Sequence, residues 1–322
     1  MVWSVGVDLG ATNLRVAIAG ASGEIIAQRR LPTTQGPDGD AITAALLEAV
    51  RSLCAEVGLT PPEIVGVGIA TFGPLDMQQG AVVSPPNLAY PIEQIDLFAP
   101  FSSQYPDAEV YVLNDATAGV IGERFHAPTN PDNMVYLTIS SGIGAGVCVD
   151  GTVLRGWDAN AGEIGHIIVD PTQALPCGCG GAGHWESYAS GEAIPRYAQH
   201  LAVTSDHQTD MQVDTVDAAG VFAAATEADP LAEAVLEGVT RWNRIGLETI
   251  IRAYAPFIIS IGGSVALQNP DAVVAPVRAA IDRAPITTVP DIRLSPLGNE
   301  APLQGAIAAA ITGGTGDRRR LE

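Results

Sequence analysis

The chain has 322 residues, with 36 acidic side chains, 16 basic ones and a formal net charge of −20. Every basic residue is arginine, and lysine is absent from the sequence. This balance excludes nucleic acid and anionic membranes as partners, since both would repel the surface. No apolar run approaches the length of a bilayer span.

A chain of this length and 47% hydrophobic content is expected to be globular, with two lobes and a separate core in each. The N-terminus runs directly into a strand pattern, so no signal peptide is expected. Of four cysteines, Cys54 and Cys148 lie in apolar contexts and read as small core residues. The other two share one short loop, which argues against a disulfide scaffold and for a cytoplasmic protein. The acidic residues are spread along the chain rather than blocked. We read them as the surface of a halophilic protein, from an archaeal cytoplasm of high salt, where screening removes self-repulsion.

In chain order, the first thirty residues alternate strand and glycine turn. Residues 40–57 carry helical spacing of Ala, Leu and Val. Residues 64–73 read as a buried strand, and a second such strand delivers Asn114 and Asp115 at its end. A helix follows directly. Residues 135–156 repeat the opening plan of strand, glycine turn, strand, Asp-Gly turn and strand, which points to an internal duplication. Helices are expected over residues 191–201 and 229–254, the second opening on Asp229-Pro230 as cap and first helical position. A buried strand then runs into a glycine turn at Gly262 and Gly263, a further helix starts after Asn269-Pro270, and an Ala-rich helix spans 301–311. The pattern predicts an α/β protein of two lobes with a cleft between them. The expected divisions are 1–113, 114–300, and a C-terminal segment 301–322 that packs back on the first lobe and ends in a frayed tail.

Three glycine turns carry candidate chemistry. At Asp8–Asn13, a strand ends in Asp, then Gly, a small residue and Thr. Backbone N–H groups and a hydroxyl there converge to cradle a phosphate, while Asp8 suits Mg²⁺. An ordinary glycine hairpin with a capping Asp has the same local signature. The run Ser140–Gly146 resembles a dinucleotide fingerprint, but a strand follows it where that motif needs a helix. A phosphate-binding hairpin using Ser141, Gly142 and Gly144 fits better. The turn at Gly262 and Gly263 lets a base or ribose approach the backbone, or is a tight strand-to-helix turn. Asp115 stands at the carboxyl end of a strand, where α/β proteins bind ligands. It reads either as a base for an attacking hydroxyl or as a helix N-cap.

The most specific stretch holds His166, Cys177, Cys179 and His184 within nineteen residues, flanked by Glu163 and Glu186. Cys-x-Cys followed by His five residues on has no origin in helix or strand patterning, and the interleaved glycines let the backbone curl around an ion. Four protein ligands leave no open position, so a structural zinc is expected, holding the two glutamates in place.

These motifs together resemble the ROK family of sugar kinases, with the ribonuclease-H-like ATPase fold shared with actin and hexokinase. The resemblance rests on DLGATNLRVA, GVGIATFGPLD with PPNL, LNDATAGVIGE, LTISSGIGAGVCVDGTVLRG followed by AGEIGH, the cysteine loop, and ISIGGSVA. It covers nearly the whole chain. It implies ATP-dependent phosphorylation of a hexose at its C6 hydroxyl, with glucose preferred and fructose, mannose, N-acetylmannosamine or N-acetylglucosamine as alternatives. Asp115 is implied as the base. Gly73, Asn87, Asn114, Glu163, His166 and Glu186 are implied to hold the sugar. Asp8, Gly10, Thr12, Asn13, Ser141, Gly142, Gly144, Gly262 and Gly263 are implied to contact ATP, with Asp8 on Mg²⁺. A homo-oligomer, dimer or tetramer, is expected. Sugar-sensing repressors share the same lobes but need a DNA-binding segment ahead of the first turn, and only seven residues precede Asp8. The sequence departs from the family pattern in four places. His184 stands for a third cysteine, Ser140-Ser141-Gly142 for Gly-Thr-Gly, Ala11 for glycine, and Asn13 for lysine.

Overall fold

The computed structural model describes residues 2–85, 88–281 and 288–321. Asn87 lies outside them. The chain forms two compact units. The first comprises Met1–Asp132, Gly146–Ala161 and Glu300–Glu322, and the second Asn133–Ala145 and Gly162–Asn299.

The first unit is built on a five-stranded sheet. Strands Trp3–Leu9, Asn13–Gly20 and Ile25–Pro32 form an antiparallel meander, as their short glycine turns require. Ile64–Thr71 adds in parallel beside Trp3–Leu9, and Glu109–Asn114 in parallel beside Ile64–Thr71, each reached through a helical crossover. Helix Gly39–Glu56 covers one face, burying Ile42, Leu46, Val50 and Leu53 against Val5, Val7 and Val16. Asp38 caps it by accepting from the Ala41 N–H at 2.9 Å. Helix Ala301–Thr312 packs on strands Trp3–Leu9 and Ile64–Thr71 and on helix Asp115–His126. Its small residues allow very close contact. A Cβ at Gly68 would lie 1.9 Å from the Ala306 carbonyl oxygen, and one at Gly305 1.7 Å from that of Ala118. A side chain at either glycine would force the layers apart.

The C-terminal tail is not frayed through Leu321, contrary to the sequence expectation. Residues Arg318–Leu321 form a turn of 3₁₀ helix. Arg124 is fully buried and donates to the carbonyls of Pro131 and Thr315 and to Asp132. Arg318 donates to the Ala127 carbonyl at 2.7 Å, and Arg319 pairs with Asp132 and Asp317. The arginines read as a solvated end because their partners are carbonyls and carboxylates distant in sequence.

In the second unit, Met134–Ile139 and Ile258–Gly262 run parallel, with Asp291–Leu294 outside them. Strand Ile143–Val149 begins in this unit and continues into the first, where Cys148 and Val149 pair with Val153 and Thr152. The third strand expected here is therefore two residues long. Strand orders in the two sheets match, a meander followed by two parallel strands, as an internal duplication requires. The longest helix, Pro230–Tyr254, buries Val235, Val239, Trp242 and Ile250 along one stripe. Asp229 caps it, accepting from Leu231 and Ala232, with Pro230 at the first helical position. Among the described residues no helix is long and apolar enough to cross a membrane. Among the features that escaped the sequence reading are a small sheet of Leu75–Asp76, Ala81–Val83 and Gln94–Asp96, and the helices Phe98–Gln104 and Ala218–Thr226.

Candidate active site and metal-binding loop

In the first unit the site residues gather at the carboxyl ends of three neighbouring parallel strands. Leu9, Thr71 and Asn114 lie in register across them, which brings Asp8, the Gly10–Asn13 turn, Gly73, Asn114 and Asp115 to one sheet edge. The turn is held from behind. Thr33 donates its hydroxyl to the Gly10 carbonyl at 2.7 Å, and Gln35 donates to that of Ala11 at 2.8 Å. Thr12 is exposed at the tip. The Asn13 side chain instead accepts from Arg30 at 3.2 Å.

Asp8 is buried and meets Arg15, its cross-strand neighbour. Arg15 Nε donates to Asp8 Oδ2 at 2.7 Å, while Nη1 donates to Glu300 at 2.7 Å. Burial raises the Asp8 pKa, and the Arg15 charge offsets part of that rise. Both contacts from Arg15 go to Oδ2 of Asp8. The sequence reading missed Arg15, although hairpin register alone sets it opposite Asp8.

Asn114, not Asp115, caps helix Asp115–His126: its side chain accepts from the Ala116 N–H at 2.9 Å. Asp115 is the first helical residue, half-buried, at the positive end of the helix dipole, a place suited to a carboxylate. A Cβ at Gly73 would lie 3.9 Å from Asn114 Nδ2, so the Gly73 loop lies directly beside that side chain.

In the second unit the turn Ser140–Gly142 is bound on three sides. Ser140 meets the Ser264 hydroxyl at 3.0 Å, and its carbonyl accepts from the Gly191 N–H at 2.7 Å. Glu186 accepts from the Ile143 N–H at 2.9 Å. Gly144 lies in the strand that leaves the turn. Gly262 closes its strand, and Gly263 has φ +88 with the Ile139 carbonyl oxygen 2.4 Å from where a Cβ would stand. Only glycine fits that strand-to-helix turn.

The cysteine loop folds as a knuckle. The Cys177 N–H donates to Gly181 O at 2.8 Å and the Gly180 N–H to Cys177 O at 3.0 Å. A Cβ at Gly181 would meet the His184 ring at 2.4 Å. One ligand atom from each of His166, Cys177, Cys179 and His184 falls within 4.8 Å of the others. Cys177 Sγ is 3.5 Å from His166 Nδ1, and Cys179 Sγ is 3.3 Å from His184 Nδ1. A tetrahedral zinc with ordinary bond lengths sets neighbouring sulfur and nitrogen about 3.5 Å apart. Two of the donor pairs therefore stand at the spacing such an ion sets, and the chemistry of all four donors suits it.

The other His166 nitrogen, Nε2, lies 3.6 Å from Glu163. Surrounding protein desolvates the Glu163 carboxylate and raises its pKa even though half its side chain is open to solvent. Nearby Glu186 adds to the rise and His166 opposes it. Behind the loop, Trp185 is fully buried and donates from Nε1 to Asn243 at 2.8 Å, while Tyr188 donates to Asp170 at 2.5 Å. Neither contact was legible in the sequence, because each joins residues from separate elements.

Comparison with known proteins agrees with this layout. The glucokinase of Aeropyrum pernix is 34% identical over 82% of this chain and 82% of its own length. A ROK hexokinase structure from Thermus thermophilus superposes with a TM-score of 0.80 at 29% identity, covering 95% of this chain and 97% of that one. A ROK family glucokinase from Streptomyces griseus, in complex with glucose and AMPPNP, gives 0.72 at 29% identity, covering 95% and 98%. The ROK family model matches residues 4–312, and the chain belongs to the ROK family.

Proposed function

We propose that the chain is an ATP-dependent glucokinase, transferring the γ-phosphoryl group of Mg²⁺–ATP to the C6 hydroxyl of glucose. The observation that carries this reading is its likeness to glucokinases across most of its length, one of them crystallised with glucose and a nucleotide. The hydroxyl oxygen attacks the γ-phosphorus, the bond to the bridging β–γ oxygen breaks, and ADP leaves. Asp115 accepts the hydroxyl proton. Asp8, buried beside Arg15, would hold the Mg²⁺ that accompanies ATP. The Gly10–Asn13 turn, with Thr12, and the Ser141–Gly144 segment cradle phosphates, and Gly262 and Gly263 border the nucleoside. That nucleoside occupies the cavity of about 860 Å³ beside Ser140, Ser141 and Ser264. Gly73, Asn87, Asn114, Glu163, His166 and Glu186 hold the sugar hydroxyls.

His166, Cys177, Cys179 and His184 hold a structural zinc. With all four positions filled by protein, such an ion would order the loop and would have no site to activate water. The acidic, lysine-free composition supports a halophilic cytoplasmic enzyme.

The test is an ADP-release assay with Mg²⁺–ATP in molar KCl across glucose, mannose, fructose, N-acetylmannosamine and N-acetylglucosamine, with metal analysis of the same sample. Glucose is expected to lead in kcat/KM by at least about tenfold, a margin one set of hydroxyl contacts supplies. About one zinc per chain is expected. Zinc-loaded protein that releases no ADP with any sugar would overturn the kinase reading.

A further inference from the structure

The cavity beside the second phosphate turn presents three carboxylates, and they are not equivalent. Asp217 is committed to its own helix, capping Ala218–Thr226 through the Gly220 N–H at 2.8 Å. Asp271 stands beyond the helix Ser264–Gln268, which at five residues is about 8 Å long. Glu192 is beside the turn itself. Its N–H donates to the Ser141 carbonyl at 3.3 Å, and the preceding Gly191 N–H donates to that of Ser140. Its exposed side chain forms part of the cavity wall and has no hydrogen-bond or ion-pair partner among the described residues.

The chemistry of a nucleoside triphosphate fixes what such a group meets. The ribose is one ester linkage from the α-phosphate, so its hydroxyls lie toward the phosphate end of the pocket and the base lies further away. An ionised carboxylate accepts two hydrogen bonds at once, matching a vicinal pair of hydroxyls. No basic side chain lines the cavity among the described residues, so a ribose carrying an added phosphate finds no counter-charge there.

We infer that Glu192 reads the 2′- and 3′-hydroxyls of the donor and makes the site selective for ribonucleoside triphosphates. This rests on the reading of the cavity as the donor site. The serines beside Glu192 hold the turn that faces the phosphates, and Glu192 adds the contact that distinguishes one sugar from another.

The experiment is steady-state kinetics at saturating glucose with ATP, 2′-deoxy-ATP and 3′-deoxy-ATP, for the unaltered chain, Glu192→Ala and Glu192→Gln. The unaltered chain is expected to show KM values for both deoxynucleotides about 10- to 100-fold above that for ATP, the range for one charged hydrogen-bonding group. Glu192→Ala brings the three KM values to within about twofold. Glu192→Gln, which keeps an acceptor, retains part of the ratio. A merely structural role would shift ATP and the deoxynucleotides together, and that result overturns the inference. Equal KM values in an unaltered chain that uses ATP overturn Glu192 alone. Failure of all three nucleotides with every sugar overturns the donor reading and the inference with it.

Discussion

The Glu186 carboxylate accepts a hydrogen bond from the Ile143 N–H at 2.9 Å, tying the cysteine loop to the Ser140–Gly142 turn. Gly142 makes room for the contact, since a Cβ there would lie 2.6 Å from the same carboxylate oxygen. One oxygen of Glu186 thus supports the turn, and the proposed function gives the other to a sugar hydroxyl. Truncating Glu186 should weaken both substrates. Glu186→Ala is expected to raise KM for ATP as well as for glucose by about tenfold or more, as loss of a charged acceptor does. Glu186→Gln keeps an acceptor for Ile143 and should spare ATP while still weakening glucose. A Glu186→Ala enzyme with normal KM for ATP would show that the contact does not support the turn.

Asp115→Asn should lower turnover by at least about 10²-fold, the usual cost of removing a general base. The fold should survive, because Asn114 caps the helix and the substituted amide still presents an oxygen to the Ala116 N–H. The check is single-turnover kinetics beside a melting curve. Near-normal turnover would remove Asp115 from the chemistry.

What the sequence disclosed follows from how local each signal is. Tight turns at strand ends leave glycines beside small polar residues, Asp and Thr in Asp8–Asn13 and serines in Ser140–Gly146, so both were legible. The clustered His166, Cys177, Cys179 and His184 stood out because no repeating structure generates Cys-x-Cys. The Asp115 environment was half-read: which of two adjacent residues caps a helix depends on backbone angles that Asn and Asp satisfy equally well. Contacts such as Glu186 with Ile143, Trp185 with Asn243, and Arg124 with Thr315 join distant segments and leave no local trace. The small sheet was missed because strands of two or three residues are too short to show alternation.

Asp170 should give the protein a defined acid limb. Burial pushes its carboxyl up, but hydrogen bonds from Tyr188, Thr172 and Ala174 outweigh this and hold it at about 2, below the ordinary 3.8. A carboxyl whose folded pKa is depressed stabilises the fold above its unfolded pKa, and the contribution is lost as pH falls through the folded value. The window is therefore about pH 4 down to about pH 2, and the contribution is on the order of 2 kcal/mol. Asp170→Asn should have a lower melting temperature at neutral pH, and the gap to the unaltered chain should close across that window. A gap that stays constant from pH 4 to 2 would show that the carboxylate contributes no stability through this titration.

The charge balance makes opposite demands on salt, and their sizes decide the outcome. Exposed pairs such as Arg51 with Glu48 and Arg252 with Glu248 weaken on screening, but each is worth at most about 1 kcal/mol. Self-repulsion grows with the net charge of −20, which 16 arginines cannot balance against 36 carboxylates. At 0.1 M salt the screening length is about 10 Å, so neighbouring carboxylates still repel; at 1 M it is about 3 Å. Relief of repulsion should outweigh the lost pairs. The melting temperature is expected to rise by several degrees between dilute buffer and 2 M KCl. KCl is the salt to use, because sulfate stabilises most proteins by exclusion from the surface whatever their charge. A melting temperature that is flat or falls with KCl would mean the carboxylates are spaced too widely to repel one another, and the composition would then carry no sign of a high-salt interior.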